Sequence, residues 1–318
     1  MANSLLKRRI GRFVLGAVIL TCAGCAVMED ASITQHSMLY DNLERTYHLL
    51  VPDSLNTEEP APLVIALHGG GGKSLHMCRL AGGITELASE ESFLVVCPQG
   101  IEQHWNDWRS VEEYRAQRDD VDDVGFILAL IDRLNETYNL DRDRVYITGN
   151  SNGGMMTLRM MCESPDTFAA AAALIASMPI DGVDCPIPDQ VSILFMNGTE
   201  DPLIQWEGGT VRILRQEYGE TMPVPHMIAL WTDANGCELT PRVTWLPDAD
   251  PDDETRIWQE TYQGCHEGSR VVVYGIEGGG HTWPGGAQYA PRSIIGRTST
   301  DAHAGELIWD FFSSSTTE

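Results

Sequence analysis

The sequence predicts an α/β fold, with a mostly parallel central sheet and helices on both faces. Three observations lead there. Residues 63–67, 93–97 and 271–276 are continuous apolar runs of strand length, the composition of strands buried on both faces. Val124, Ile127, Leu128, Ile131 and Leu134 recur at helical spacing. Strand-like and helix-like segments then alternate along most of the chain, and that alternation calls for a parallel sheet covered on both sides.

In chain order, residues 47–51 read as an early strand stopped by Pro52, and residues 63–67 as a second that runs into His68-Gly69-Gly70-Gly71-Gly72. Residues 84–90 are helical, 93–97 form a buried strand closed by Pro98, and 121–138 form a long helix. The β-branched run 144–148 precedes Gly149-Asn150-Ser151-Asn152-Gly153, and a helix-like stretch, 155–162, follows it. A strand at 193–196 and a helix at 224–234 come next. Residues 243–246 and 257–262 look like a hairpin joined by the acidic loop around 248–254. The strand 271–276 and the helix 304–312 close the domain.

The chain ends are read differently. Lys7, Arg8, Arg9 and Arg12 precede an apolar stretch at 13–20, too short to cross a bilayer, which takes about 20 residues. Residues 1–24 are therefore expected to be a removable leader. Ala23-Gly24-Cys25 matches the preference of a bacterial lipoprotein signal peptidase, with Cys25 becoming the acylated terminus, although Cys22 stands where Leu is usual. An ordinary secretory cleavage nearby is the alternative; either way the chain is expected to leave the cytoplasm. Residues 25–46 are then a tether, 47–312 one large domain and 313–318 a tail. No repeat and no Pro- or Thr-rich linker marks a second module.

Formal net charge is −25 over 318 residues, and beyond the leader Lys73 is the only lysine. Such a surface repels nucleic acid and anionic membrane, so membrane contact is expected only through a lipid on Cys25. Acid excess with arginine in place of lysine fits salt adaptation or, equally, a high-GC genome. Cys78, Cys97, Cys162, Cys185, Cys237 and Cys265 form no Cys-x-x-Cys pair. Zinc is not expected, and an even count in an exported chain suggests disulfides.

A serine flanked by glycines at two removes, between strand and helix, has the context of a nucleophile elbow. A serine nucleophile needs a base, and the base needs an acid to orient it. In open α/β sheets these groups lie beyond the C-terminal ends of strands. Asp201 follows the strand at 193–196, with Glu200 as a rival acid, and His281 follows the strand at 271–276 in a glycine-rich loop. The order Ser151, Asp201, His281 results. The glycine loop after His68 could turn backbone N–H groups, Gly70 among them, toward a substrate oxygen, and the N–H of Asn152 could supply the second donor. A glycine-rich loop could instead bind phosphate, but no Gly-Lys-[Ser/Thr] opens a helix here in the spacing that a phosphate loop needs. Trp105, Trp108 and Trp283 are candidates for stacking on an acyl or aryl group.

His68-Gly69-Gly70-Gly71-Gly72, Trp105-Asn106-Asp107, Asp122-Asp123-Val124-Gly125-Phe126, residues 149–155 and residues 279–286 occur in that order. Together they closely resemble the polyhydroxybutyrate depolymerase and feruloyl esterase group of α/β-hydrolases, lipoprotein-type members included. The resemblance spans about residues 47–312. It implies an α/β-hydrolase fold, a Ser151–Asp201–His281 triad, and hydrolysis of carboxylic esters through an acyl-enzyme with no metal or organic cofactor. It also implies a Cys237–Cys265 bridge. Cys162 and Cys185 bracket the segment after the elbow helix, which leaves Cys78 with Cys97, although six cysteines allow fifteen pairings. The expected partner is a small or oligomeric ester, and the expected state a monomer. Without a linker and binding module, soluble feruloyl or acetyl esters of plant oligosaccharides, or short hydroxyalkanoate oligomers, are favoured over crystalline polyester. An acyltransferase or peptidase with the same triad, and a non-catalytic glycan-binding envelope lipoprotein, stay open as alternatives.

Overall fold

The computed structural model describes residues 33–315 apart from 57, 81–82, 182–184 and 214. The leader, Cys25 and the tail at 316–318 lie outside the described residues.

Among the described residues there are twelve strands: β1 (Ile33–Tyr40), β2 (Leu43–Leu50), β3 (Ala61–Leu67), β4 (Leu94–Pro98), β5 (Leu140–Asn150), β6 (Ala170–Leu174), β7 (Ile193–Gly198), β8 (Gly209–Ile213), β9 (Gln216–Thr221), β10 (Arg242–Trp245), β11 (Arg256–Thr261) and β12 (Val271–Glu277). Ten of them form one sheet in the order β1-β2-β4-β3-β5-β6-β7-β12-β11-β10. The six central strands, β4 to β12 in that order, run parallel, and an antiparallel pair closes each side. β8 and β9 pair separately as a hairpin.

The central strands are apolar throughout because both faces are covered. One core layer joins Leu63, Ile65, Leu67, Val145, Ile147 and Phe195 to helices Asp123–Tyr138, Asn152–Glu163 and Val224–Ala234. The other joins Val64, Ala66, Val95, Leu194 and Val272 to helices Ser74–Leu80, Ile84–Glu91 and Ala304–Ser313. Adjacent residues of one strand thus serve opposite layers, as the two-residue period of a pleated strand dictates.

Several elements depart from the sequence expectation, β1, β6 and the β8–β9 hairpin among them. Residues 33–46, expected to tether the domain, instead form β1 and the start of β2 and extend the sheet. Most side chains of β1 are exposed, so the strand carries no apolar signal and is held by its ladder to β2. β6 is alanine-rich and buried throughout. Alanine favours helices in isolation, and here small side chains let helix Asn152–Glu163 lie close to the sheet. The β8–β9 hairpin lies in the chain between Asp201 and helix Val224–Ala234, and was not expected as a separate sheet.

All three cysteine pairs are bridged: Cys78–Cys97, Cys162–Cys185 and Cys237–Cys265. Among the described residues, no helix is long and apolar enough to cross a membrane.

Candidate active site

Ser151 stands between the end of β5 and the start of helix Asn152–Glu163, with φ 54° and ψ −123°. For a non-glycine residue this is strained backbone. It is held by a hydrogen bond from its N–H to the Leu174 carbonyl (2.9 Å) and one from the Met155 N–H to its carbonyl (2.8 Å). The flanking glycines are required by close approach. A Cβ on Gly149 would lie 2.4 Å from the Gly153 carbonyl oxygen, and one on Gly153 would lie 2.5 Å from the carbonyl oxygens of both Leu67 and His68. The turn therefore presses strand, helix and the end of β3 together and pushes the serine side chain out of the sheet.

Two strands away, β7 ends at Gly198 and Asp201 follows; β12 lies beside β7 and leads to His281. The loops are tied to each other. The Thr199 N–H donates to the Ile276 carbonyl and the Glu200 N–H to the Gly279 carbonyl, both at 2.9 Å. This brings His281 Nδ1 within 2.7 Å of Asp201 Oδ2, both side chains being buried. The other Asp201 oxygen, Oδ1, accepts the N–H groups of Leu203 and Ile204. Two backbone donors and the imidazole thus satisfy a buried carboxylate that would otherwise be costly. Glu200, the rival acid, is exposed and pairs with Arg297. Tyr289 fixes the base from behind by donating its hydroxyl to the His281 carbonyl (2.9 Å). Although the residue is largely exposed, desolvation of that hydroxyl, with the Asp201 charge adding to it, raises the Tyr289 pKa to about 12.

The glycine loop lies against the elbow. Its turn is closed by Gly72 N–H to Gly69 O and by Gly71 N–H to Gln103 O, both 2.9 Å. A Cβ on Gly70 would lie 3.7 Å from the Asn152 Cβ, so the two candidate oxyanion amides are neighbours. As the first residue of its helix, Asn152 has an N–H with no intrahelical acceptor. His68 supports the loop from below: its ring bonds the Gly69 carbonyl, the Gly100 N–H and the Gln99 side-chain amide. Burial lowers its pKa to about 4, so it is a neutral structural ring.

The Asn152 side chain is fully engaged. Its Oδ1 accepts the Trp105 N–H (2.8 Å), and its Nδ2 donates to the Trp105 carbonyl and to Asp107 Oδ2 (2.6 Å). Asp107 also accepts from Arg109 and Gln117, entirely out of solvent. Behind it, the Asn106 N–H and Arg45 hold Asp123, whose carboxyl burial pushes up and whose partners pull back down. Asn106, Asp107 and Asp123 belong to motifs legible in the sequence, which gives them no role; Arg45, Arg109 and Gln117 carry no such signal. What the sequence does not give is the pairing of Asp107 with Asn152, far along the chain.

The tryptophans divide. Trp105 is 0 % exposed, its indole N–H bonded to the His68 carbonyl (2.9 Å). It is a core residue beneath the loop and offers no face to a substrate, contrary to expectation. Trp108 is half-buried under the Arg159 guanidinium on the flank of the elbow helix. Trp283 is half-buried and lines a cavity of about 490 Å³ with Tyr289, Glu86, His303 and Glu306; the cavity lining includes none of Ser151, Asp201 and His281.

This placing of loops on the C-terminal edge of a doubly covered sheet is that of an α/β-hydrolase. The fold is shared with the acetyl xylan esterase from Aspergillus awamori, at a TM-score of 0.56 and 14 % identity, over 89 % of this chain and 99 % of that one. The sequence model of the prolyl oligopeptidase family matches residues 87–186. The chain is 30 % identical to "Putative esterase NocK" of Nocardia uniformis subsp. tsuyamanensis, over 89 % of this chain and 83 % of the relative. It is 26 % identical to feruloyl esterase B of Neurospora crassa, over 86 % and 94 % respectively. The chain belongs to the family of α/β-hydrolase esterases that includes this putative esterase and the feruloyl esterases, and with it to the carboxylic ester hydrolases.

Proposed function

We propose that the protein is an exported serine esterase that cleaves soluble esters through an acyl-enzyme. The buried His281–Asp201 pair, at 2.7 Å and on the same sheet edge as the strained Ser151, carries this reading. The carboxylate fixes the hydrogen on Nδ1 and leaves Nε2 to take the Ser151 proton as the hydroxyl attacks the ester carbonyl. The amides of Gly70 and Asn152 hold the oxyanion. Its collapse expels the alcohol, protonated by His281, and water then repeats the cycle on the acyl-enzyme. Feruloyl or acetyl esters of plant oligosaccharides and short hydroxyalkanoate oligomers are the substrates this reading favours. Three disulfides suit an oxidising compartment, and Cys25 would carry the lipid of an envelope-anchored form.

The test pairs a fluorophosphonate label with a panel of p-nitrophenyl esters, methyl ferulate and hydroxybutyrate oligomers. Covalent labelling of Ser151 and turnover of at least one ester are expected. A protein that neither labels nor turns over any of them is a binding protein on a retained fold.

A further inference from the structure

The residues just before Trp105 form a turn from Ile101 to His104, closed by His104 N–H to Ile101 O at 3.0 Å. Its central residues, Glu102 and Gln103, have φ of 48° and 67°. Such a turn is ordinarily made with Gly or Asn; with two long side chains its backbone is strained. The strain is held in place from both sides. Gln103 accepts the Gly71 N–H, and Trp105 donates to the Asn152 side chain. His104 is thus bracketed by bonds to the glycine loop and to the elbow asparagine.

The imidazole sits beside Gly70, whose amide is one of the two candidate oxyanion donors. Its Cδ2 and Nε2 are 3.3 and 3.5 Å from where a Cβ on Gly70 would lie. One face stacks on Tyr114 at 3.8 Å, and Tyr114 stacks in turn on Tyr218 of the β8–β9 hairpin at 5.2 Å. Nδ1 lies 2.9 Å from the Glu102 carbonyl oxygen. A carbonyl only accepts, so Nδ1 carries the hydrogen of the neutral ring and Nε2 is a bare acceptor. Burial, the largest influence, holds the ring below its ordinary pKa and keeps it neutral; Arg109 adds to this, while the Glu102 carbonyl, Asp107 and the Glu102 carboxylate oppose it. Among the described residues Nε2 has no hydrogen-bond donor.

We propose that His104 is a substrate-recognition residue whose Nε2 accepts a hydrogen bond from a hydroxyl carried by the ester close to its carbonyl. The inference rests on the serine-esterase reading above. A lone pair beside Gly70 cannot stabilise an oxyanion; it disfavours one. It complements a donor on the substrate, and a plain alkanoate ester of a simple alcohol has none. Two substrate types supply it: a hydroxyacyl chain, or a polyol or sugar whose free hydroxyl neighbours the esterified carbon. Both are esters with a hydroxyl a few bonds from the carbonyl.

Two matched pairs separate these sources. p-Nitrophenyl butyrate against p-nitrophenyl 3-hydroxybutyrate places the donor on the acyl side. Cyclohexyl acetate against 2-hydroxycyclohexyl acetate places it on the alcohol side. The wild-type protein is expected to prefer the hydroxylated member of one pair by about tenfold in kcat/KM, the worth of one hydrogen bond. His104→Phe keeps a ring to stack on Tyr114 and loses the acceptor, so that preference should collapse toward unity, chiefly through KM. His104→Ala, the second variant, should lose it as well. Fluorophosphonate labelling of each variant reports whether the elbow is intact. Turnover with no preference in either pair, or a preference that both variants retain, overturns the role of His104 alone. Absence of any turnover and of labelling in the wild type overturns the esterase reading with it.

Discussion

Single side chains set the strongest expectations. Members of a triad act as a unit, so Ser151→Ala and His281→Ala should each cost roughly four to six orders of magnitude in turnover, and the double variant no more than either. Asp201→Asn should lose about four orders of magnitude, because an amide at the 2.7 Å contact holds the wrong imidazole tautomer. Burst and steady-state kinetics on an activated ester check all of these; more than about a tenth of wild-type turnover in Ser151→Ala refutes the proposed mechanism. His68 sets a pH limit on stability. Its pKa is lowered by burial to about 4 in the fold, against about 6.5 in the unfolded chain. Between those values the unfolded state binds the extra proton, so stability rises with pH through that window and is lost on acidification from pH 6.5 toward 4. The full loss is about 3 kcal/mol. Urea midpoints at pH 7 and pH 4.5 should show it, and His68→Gln should flatten it. The candidate triad could be read from the sequence because each member sits where a strand run meets a glycine-rich or polar loop. Asp107 could not, since its partners Asn152 and Gln117 meet it only in the fold. Trp105 misled: expected to stack on an acyl or aryl group, it instead lies buried beneath the glycine loop.

At the scale of elements, the elbow is the least tolerant segment. Gly153→Ala would drive a Cβ into two backbone carbonyls at 2.5 Å, neither of which can rotate away as a side chain would. An expected loss of about 1–3 kcal/mol from overpacking should come with a larger loss of activity, because Leu67 and His68 lead directly into the glycine loop. Thermal melts and kcat/KM measured together check this, and unchanged activity would show that the loop is not positioned by that contact. Elements buried on both faces could be read from their sequences because their apolar runs are unbroken. β1 and β6 could not, for opposite physical reasons. β1 is stabilised by backbone pairing with β2 and shows water mostly polar side chains. β6 is alanine because neighbours crowd it, and nothing local in an alanine run distinguishes strand from helix.

At the scale of the whole molecule, the three bridges close loops of 19, 23 and 28 residues. In the chain-entropy model each contributes about 3–4 kcal/mol. Full reduction should therefore lower Tm by well over 10 °C, at roughly 2–4 °C per kcal/mol for a chain of this size. Scanning calorimetry with and without reductant measures it, and non-reduced peptide mapping should recover the three pairs; a Cys237 peptide linked elsewhere contradicts the fold described. The strand order has a consequence for how activity is born. β12 enters the sheet between β7 and β11, and the loop that bears His281 follows it. The candidate nucleophile Ser151 and candidate acid Asp201 are synthesised well before His281, and β11 has no neighbour toward the sheet centre until β12 arrives. On the proposed mechanism, a fragment halted before Val271 would carry Ser151 and Asp201 yet lack His281 and stay silent, and supplying the missing C-terminal piece in trans is expected to wake it.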